Sequence, residues 1–119
     1  MADFPRNGDV WICDMGRRDG HEQNGTRPVV IVSNDRGNRH GETVVVVPLT
    51  TQAKRNLPTI ISLRGEYALH RDTVALAHQI TTIDKGKLIR WHGKISYMGM
   101  HNIQIGIANA IGNWEEKKK

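Results

Sequence analysis

Two runs of β-branched residues, PVVIVS at residues 28–33 and TVVVVPL at residues 43–49, constrain this chain more than any other feature. Both are apolar on consecutive positions rather than alternate ones, and both are shorter than an ordinary helix. Valine and isoleucine are stiff at χ1 and suit a pleated surface. Such runs predict central strands covered on both faces. Further strands are predicted at 10–13 (VWIC), 58–63, 73–79 and 89–95, separated by turn-rich stretches. Residues 34–41 (NDRGNRHG) read as a hairpin connection, with Gly and Asn available for positive φ, and residues 84–87 (DKGK) as a short helical turn. Met100, Ile103, Ile107, Ala110 and Ile111 recur at spacings of three and four, one face of a helix stopped by Gly112. Gly99 and Gly106 each weaken that helix by about 1 kcal/mol against alanine, so packing must hold it. The expected architecture is mainly β (α+β), a small, strongly bent sheet or partial barrel with a C-terminal helix.

The 119 residues fit one domain spanning 1–119, with 115–119 (EEKKK) as a solvated tail. A domain of this size hides only about two-thirds of its unfolded surface, so dimerisation would help it. No apolar run approaches the ~18 residues of a membrane span. The start, MADFPR, lacks an apolar stretch behind a basic end, so no secretory leader is expected and a cytoplasmic location is. A single cysteine, Cys13, excludes a disulfide framework or a multi-thiolate zinc site, and within an apolar strand it reads as core. The six histidines show no pair at metal-ligand spacing, and no glycine-rich phosphate loop is present, so neither a metal nor a cofactor is expected. A net charge of +5 and a pI near 9.7 suit a polyanionic partner without requiring one.

Three segments could carry chemistry. Residues 16–28 (GRRDGHEQNGTRP) form a long connection for so small a domain, and such connections are usually functional. It ends with Arg27 directly before Pro28, which holds Arg27 in extended conformations, so rigid backbone presents the guanidinium. The alternative is a surface arginine beside an incidental loop. Residues 48–55 (PLTTQAKR) follow the valine run; Thr50 is placed to hydrogen-bond an anionic oxygen, with Lys54 and Arg55 close enough to attract a phosphate chain. Ordinary turn residues are the alternative there. Residues 74–79 (VALAHQ) end in His78 and Gln79, one of which faces the same mouth, unless His78 is a structural histidine. Trp91 and His92 offer a stacking face for an unpaired base, against the plainer reading of a packed Trp91.

GDVW, GHEQNGTRPVVIVSND, VPLTTQAK and DTVALAHQITTID, in that order and spacing, resemble the MazF/PemK family of toxin endoribonucleases over most of the chain. The resemblance implies a small SH3-like partial barrel of the CcdB/PemK type with a terminal helix. It implies a homodimer whose groove takes single-stranded RNA, and a cognate antitoxin that blocks the groove with an extended acidic segment. It also implies RNA cleavage at short sequences without metal, leaving a 2′,3′-cyclic phosphate and a 5′-hydroxyl. Arg27 matches the family's catalytic arginine and Thr50 its phosphate-binding threonine, while Glu22, Gln23, Thr51, Gln52 and Gln79 match positions lining the groove. Lys54 and His78 join them as substrate contacts. His21 sides with the PemK-like members that carry histidine there. His78 replaces a common Asp or Glu, and Leu76 stands where one branch places an Arg, so a mechanism using that Arg and that acid does not carry over. The expectation is instead that His21 and His78 share the proton transfers while Arg27 holds the phosphate.

The chemistry of the residues agrees with that implication. RNA cut by its own 2′-hydroxyl needs no external nucleophile. It needs a base, donors for the crowded phosphorane and a proton for the leaving oxygen. Two rivals remain at this level: a CcdB-like poison of DNA gyrase without catalysis, and a non-toxic SH3-like RNA-binding module.

Overall fold

The computed structural model describes residues 4–53 and 56–112. Seven strands and two helices follow in the order β1 (Asp9–Asp14), β2 (Thr26–Ile31), α1 (Asp35–His40), β3 (Thr43–Thr50), β4 (Ile60–Ser62), β5 (Val74–Leu76), β6 (Thr81–Asp84), β7 (Leu88–Lys94) and α2 (Tyr97–Ile111). The strands form one antiparallel sheet in the order β4-β5-β3-β2-β1-β7. β3 is the centre of the arrangement. It pairs with β2 on one side, while β5 takes its Leu49–Thr50 end and β6 its Thr43–Val46 end on the other.

The two valine-rich runs are covered on both faces, as consecutive apolar residues require. Val30, Val47 and Leu49 join Val10, Met100 and Ile103 under α2. Their neighbours Val29, Ile31, Val44 and Val46 turn the other way and pack with Cys13 and Ile83. Burial of Cys13 raises its thiol pKa from the usual 9.0 to about 11, helped by the nearby Asp14 carboxylate. The folded state therefore binds a proton that the unfolded chain releases first. Stability from this group is complete below pH 9 and is lost as pH rises toward 11, on the order of 2–3 kcal/mol by linkage. Urea titrations at pH 8 and pH 10.5 on the wild type and on Cys13→Ala should show that only the wild type carries this loss.

Glycine explains how α2 packs so closely. A Cβ on Gly106 would stand 2.6 Å from Ile61 Cγ1, and one on Gly99 2.6 Å from Ile95 Cγ2 and 2.8 Å from a Glu66 carboxylate oxygen. The propensity lost at these positions is thus exchanged for backbone approach. Ser96 caps the helix, accepting from the Gly99 amide. Glu66 in turn accepts from the Ser96 amide at 2.7 Å and from its hydroxyl at 2.6 Å, placing a carboxylate at the positive end of the helix. Gly112 ends α2 with a positive φ of 74°, which glycine adopts freely, in the capping place expected of it. The apolar stripe runs less far than its spacing suggested, since Ile111 is 74% exposed.

Three expectations change. Residues 34–41 form the short helix α1 rather than a hairpin turn, and neither Gly37 nor Gly41 has a positive φ. The cause is local: Asn34 caps the Gly37 amide, and the fully buried Asn38 side chain donates to the Ser33 carbonyl and meets its hydroxyl. The strand expected over 73–79 stops at Leu76, and Ala77–Gln79 form a 3-10 turn that carries the chain round to β6, an unexpected strand. Trp91 is not packed within the chain but 57% exposed on β7, an edge of the sheet. The 115–119 tail lies outside the described residues. Among the described residues no helix is long and apolar enough to cross a membrane.

Candidate functional site

Arg27 and Thr50 come together through strand register. Val29 pairs with Pro48, Val30 with Val47 and Ile31 with Val46. Continued by two residues, the same antiparallel register sets Arg27 abreast of Thr50. Both line one cleft of about 230 Å³, together with Gln52, Thr51, His70 and His92. That volume lies below the roughly 300–1,000 Å³ of an enclosed small-molecule site, which suits one segment of a longer groove.

The polar atoms of this cleft are oriented. Arg27 is half-buried and donates from Nε to the Asn24 carbonyl at 3.1 Å, which fixes the guanidinium plane and leaves its terminal amines for a ligand. Among the described residues no carboxylate lies within ion-pair distance of it. Thr50 is buried, and its Oγ1 accepts from the Gln52 amide at 3.1 Å, so its own O–H remains able to donate. A planar cation and a hydroxyl donor thus face the same space, an arrangement that matches the oxygens of a phosphodiester.

Two further depressions continue from it. Thr50 and Gln52 also line a second hollow with His21, Gln23, Leu76 and His78, and His21, Gln23 and His78 extend into a third with Glu22 and Gln79. Shared walls make one groove across the end of β3. His21 and His78 are therefore neighbours in the groove, one segment away from Arg27. His78 Nδ1 lies 3.1 Å from the Thr59 hydroxyl. Lys54 lies outside the described residues.

Gln79 has a specific structural part. Its Oε1 accepts from the Gln23 amide at 2.9 Å and its Nε2 donates to the His21 carbonyl at 3.2 Å, so one side chain clamps the long β1–β2 loop to the 3-10 turn. At about 1 kcal/mol per bond, losing both bonds in Gln79→Ala should speed hydrogen exchange at the Gln23 amide by about 30-fold. Gln79→Glu, which keeps the acceptor but loses the donor, should fall between the two; unchanged exchange in both would remove the clamp. Beside it, the Gln23 Oε1 is buried without a partner among the described residues. An unpaired buried acceptor is costly, and a donor from a bound molecule would relieve it.

His70 is the cleft histidine that sequence reasoning did not single out, whereas His92, offered there as part of a stacking face, also lines the cleft. Both reach the cleft only because the 64–73 segment folds against β7, a long-range contact with no local signal.

The sequence matches, over residues 6–111, the family described as PemK-like, MazF-like toxin of type II toxin–antitoxin system. An Endoribonuclease MazF from Staphylococcus saprophyticus is 42% identical over 109 residues, covering 90% of this chain and 91% of that protein. The fold is shared with an endoribonuclease solved in complex with its cognate antitoxin from a mycobacterial species, at TM-score 0.78 and 32% identity over 92% of this chain and 98% of that one. It is also shared with MazF from Deinococcus radiodurans, at TM-score 0.81 over 94% of this chain and 100% of that one; at 19% identity this likeness concerns the fold alone.

Proposed function

The chain belongs to the PemK-like, MazF-like toxins of type II toxin–antitoxin systems and is an endoribonuclease, and on that premise we propose that it cuts single-stranded RNA at the Arg27–Thr50 cleft, using the substrate's own 2′-hydroxyl as nucleophile. The supporting observation is that β2–β3 register sets a fixed guanidinium abreast of a hydroxyl donor in one cleft. The 2′-oxygen attacks the adjacent phosphorus, the bond to the 5′-oxygen breaks, and a 2′,3′-cyclic phosphate and a 5′-hydroxyl result. Arg27 and Thr50 hold the non-bridging oxygens as negative charge builds on them. His21 and His78, adjacent in the groove, exchange the protons. Neither step requires a metal or a cofactor.

Bases flanking the cut lie along the groove past Gln52 toward Glu22 and Gln23, where the unpaired Gln23 oxygen suits an exocyclic amino group. A cognate antitoxin with an extended acidic segment would cover the same groove, as the antitoxin-bound relative makes reasonable. A homodimer fits the exposed Ile89 and Trp91 on edge strand β7 and Tyr97 and Met98 where α2 begins, apolar side chains a monomer leaves in water. Purified protein incubated with single-stranded RNA in excess EDTA should release fragments whose 5′ ends accept a labelled phosphate directly. Their 3′ ends should be cyclic. Fragments with 5′-phosphate ends, or intact RNA, would overturn the assignment.

A further inference from the structure

His70 enters the Arg27–Thr50 cleft from a segment that is held in place throughout. Glu66 is bound to the start of α2, and His92 Nε2 donates to the Ala68 carbonyl at 3.1 Å. The Leu69 side chain packs on the core, and the Thr73 amide closes a turn onto the His70 carbonyl at 3.0 Å. A Cβ on Gly93 would stand 2.5 Å from Ala68 Cβ, so the Ala68 methyl sits directly against the β7 backbone. The imidazole is thus carried by fixed backbone, although its side chain is 63% exposed to the cleft and solvent.

The hydrogen bonds also assign its proton. His70 Nδ1 accepts from the Asp72 backbone amide at 3.1 Å. A ring nitrogen that accepts cannot carry the proton of a neutral imidazole, so that proton sits on Nε2. His92 is arranged differently, because its Nε2–H is already given to Ala68. Of the two histidines in the cleft, His70 is the one with a donor to spare. The Asp72 carboxylate, 3.8 Å from Nδ1, is the acid beside it, and Arg27 and His92 are the other charged or titratable groups of the cleft.

We propose that His70 is a third substrate-contacting donor of the phosphate cleft, its Nε2–H bonding a phosphate oxygen of the RNA alongside Arg27 and Thr50. This rests on the ribonuclease reading above and adds a residue to it. A neutral donor given to a charged oxygen implies a loss of about 10- to 100-fold in kcat/KM when it is removed. Two substitutions separate binding from mere turn-holding. Glutamine places an amide N–H near the position of Nε2, whereas asparagine places its oxygen near Nδ1 and can still accept from the Asp72 amide.

Steady-state cleavage of one RNA oligonucleotide by the wild type, Arg27→Ala, His70→Ala, His70→Gln and His70→Asn provides the test, with thermal unfolding of each variant alongside. The expected result is a 10- to 100-fold loss in His70→Ala at unchanged melting temperature, largely restored in His70→Gln and not in His70→Asn. Rescue by Asn alone, or wild-type activity in His70→Ala while Arg27→Ala is inactive, would overturn the His70 assignment and leave the ribonuclease reading standing. A wild type that cuts no RNA would overturn both.

Discussion

Arg27→Ala is expected to reduce RNA cleavage by about 100- to 1,000-fold or more and to abolish growth arrest on expression, with the fold intact. A donor aimed at charge that develops in the transition state is worth that much because it is already in place when the charge appears. Arg27 meets the condition: Pro28 limits its backbone, the β1–β2 pairing sets it opposite Cys13, and the Asn24 carbonyl fixes its Nε. Its side chain makes no other bond that the fold needs among the described residues, so melting temperature should change little. Arg27→Lys should recover only a small part of the rate, since an ammonium cannot present the planar fork. A folded Arg27→Ala protein that cut RNA near the wild-type rate would remove the cleft from the mechanism.

The largest effect on stability is expected at Ile103. Its side chain is fully buried where α2 crosses Val30, Val47 and Leu49. Truncation to alanine removes the transfer energy of three carbons and leaves a cavity, about 2–5 kcal/mol together. Against a total of roughly 5–15 kcal/mol for a domain, that is a large fraction. Ile111→Ala on the same helix, at a 74% exposed position, should stay within about 0.5 kcal/mol. Urea unfolding of the pair checks both values, and equal losses would mean that α2 is seated differently.

How far the sequence could be read depended on the range of the forces involved. The strands 28–33 and 43–49 were legible because two-sided burial writes itself into consecutive valines. Helix α2 was legible from its spacing. Helix α1 was not, because its stability comes from two asparagine side chains bonding backbone at Gly37 and Ser33, and NDRGNRHG has the composition of a turn. The bend at Ala77–Gln79 was missed because VALA continues the pattern of a strand, and only the separate pairing of β5 and β6 with β3 shows where the chain must turn. Within the site, RP and TT stood out as motifs, yet nothing local says that they are abreast; that follows from the β2–β3 register. The clamp at Gln79 and the arrival of His70 in the cleft depend on contacts across 56 and more residues and on a loop-to-edge packing, which no short pattern encodes.

The position of β3 between three partner strands has a consequence for when this protein becomes dangerous to the cell that makes it. Arg27 and Thr50 are brought abreast by the same ladder that joins the middle of the sheet, and β5, drawn from residues beyond 73, flanks the Thr50 end of that ladder. The proposed cutting centre is therefore framed on both sides only once β5 has been made. On the proposed function, RNA cutting would wait for those later strands, and an antitoxin that covers the groove would have that interval in which to accumulate.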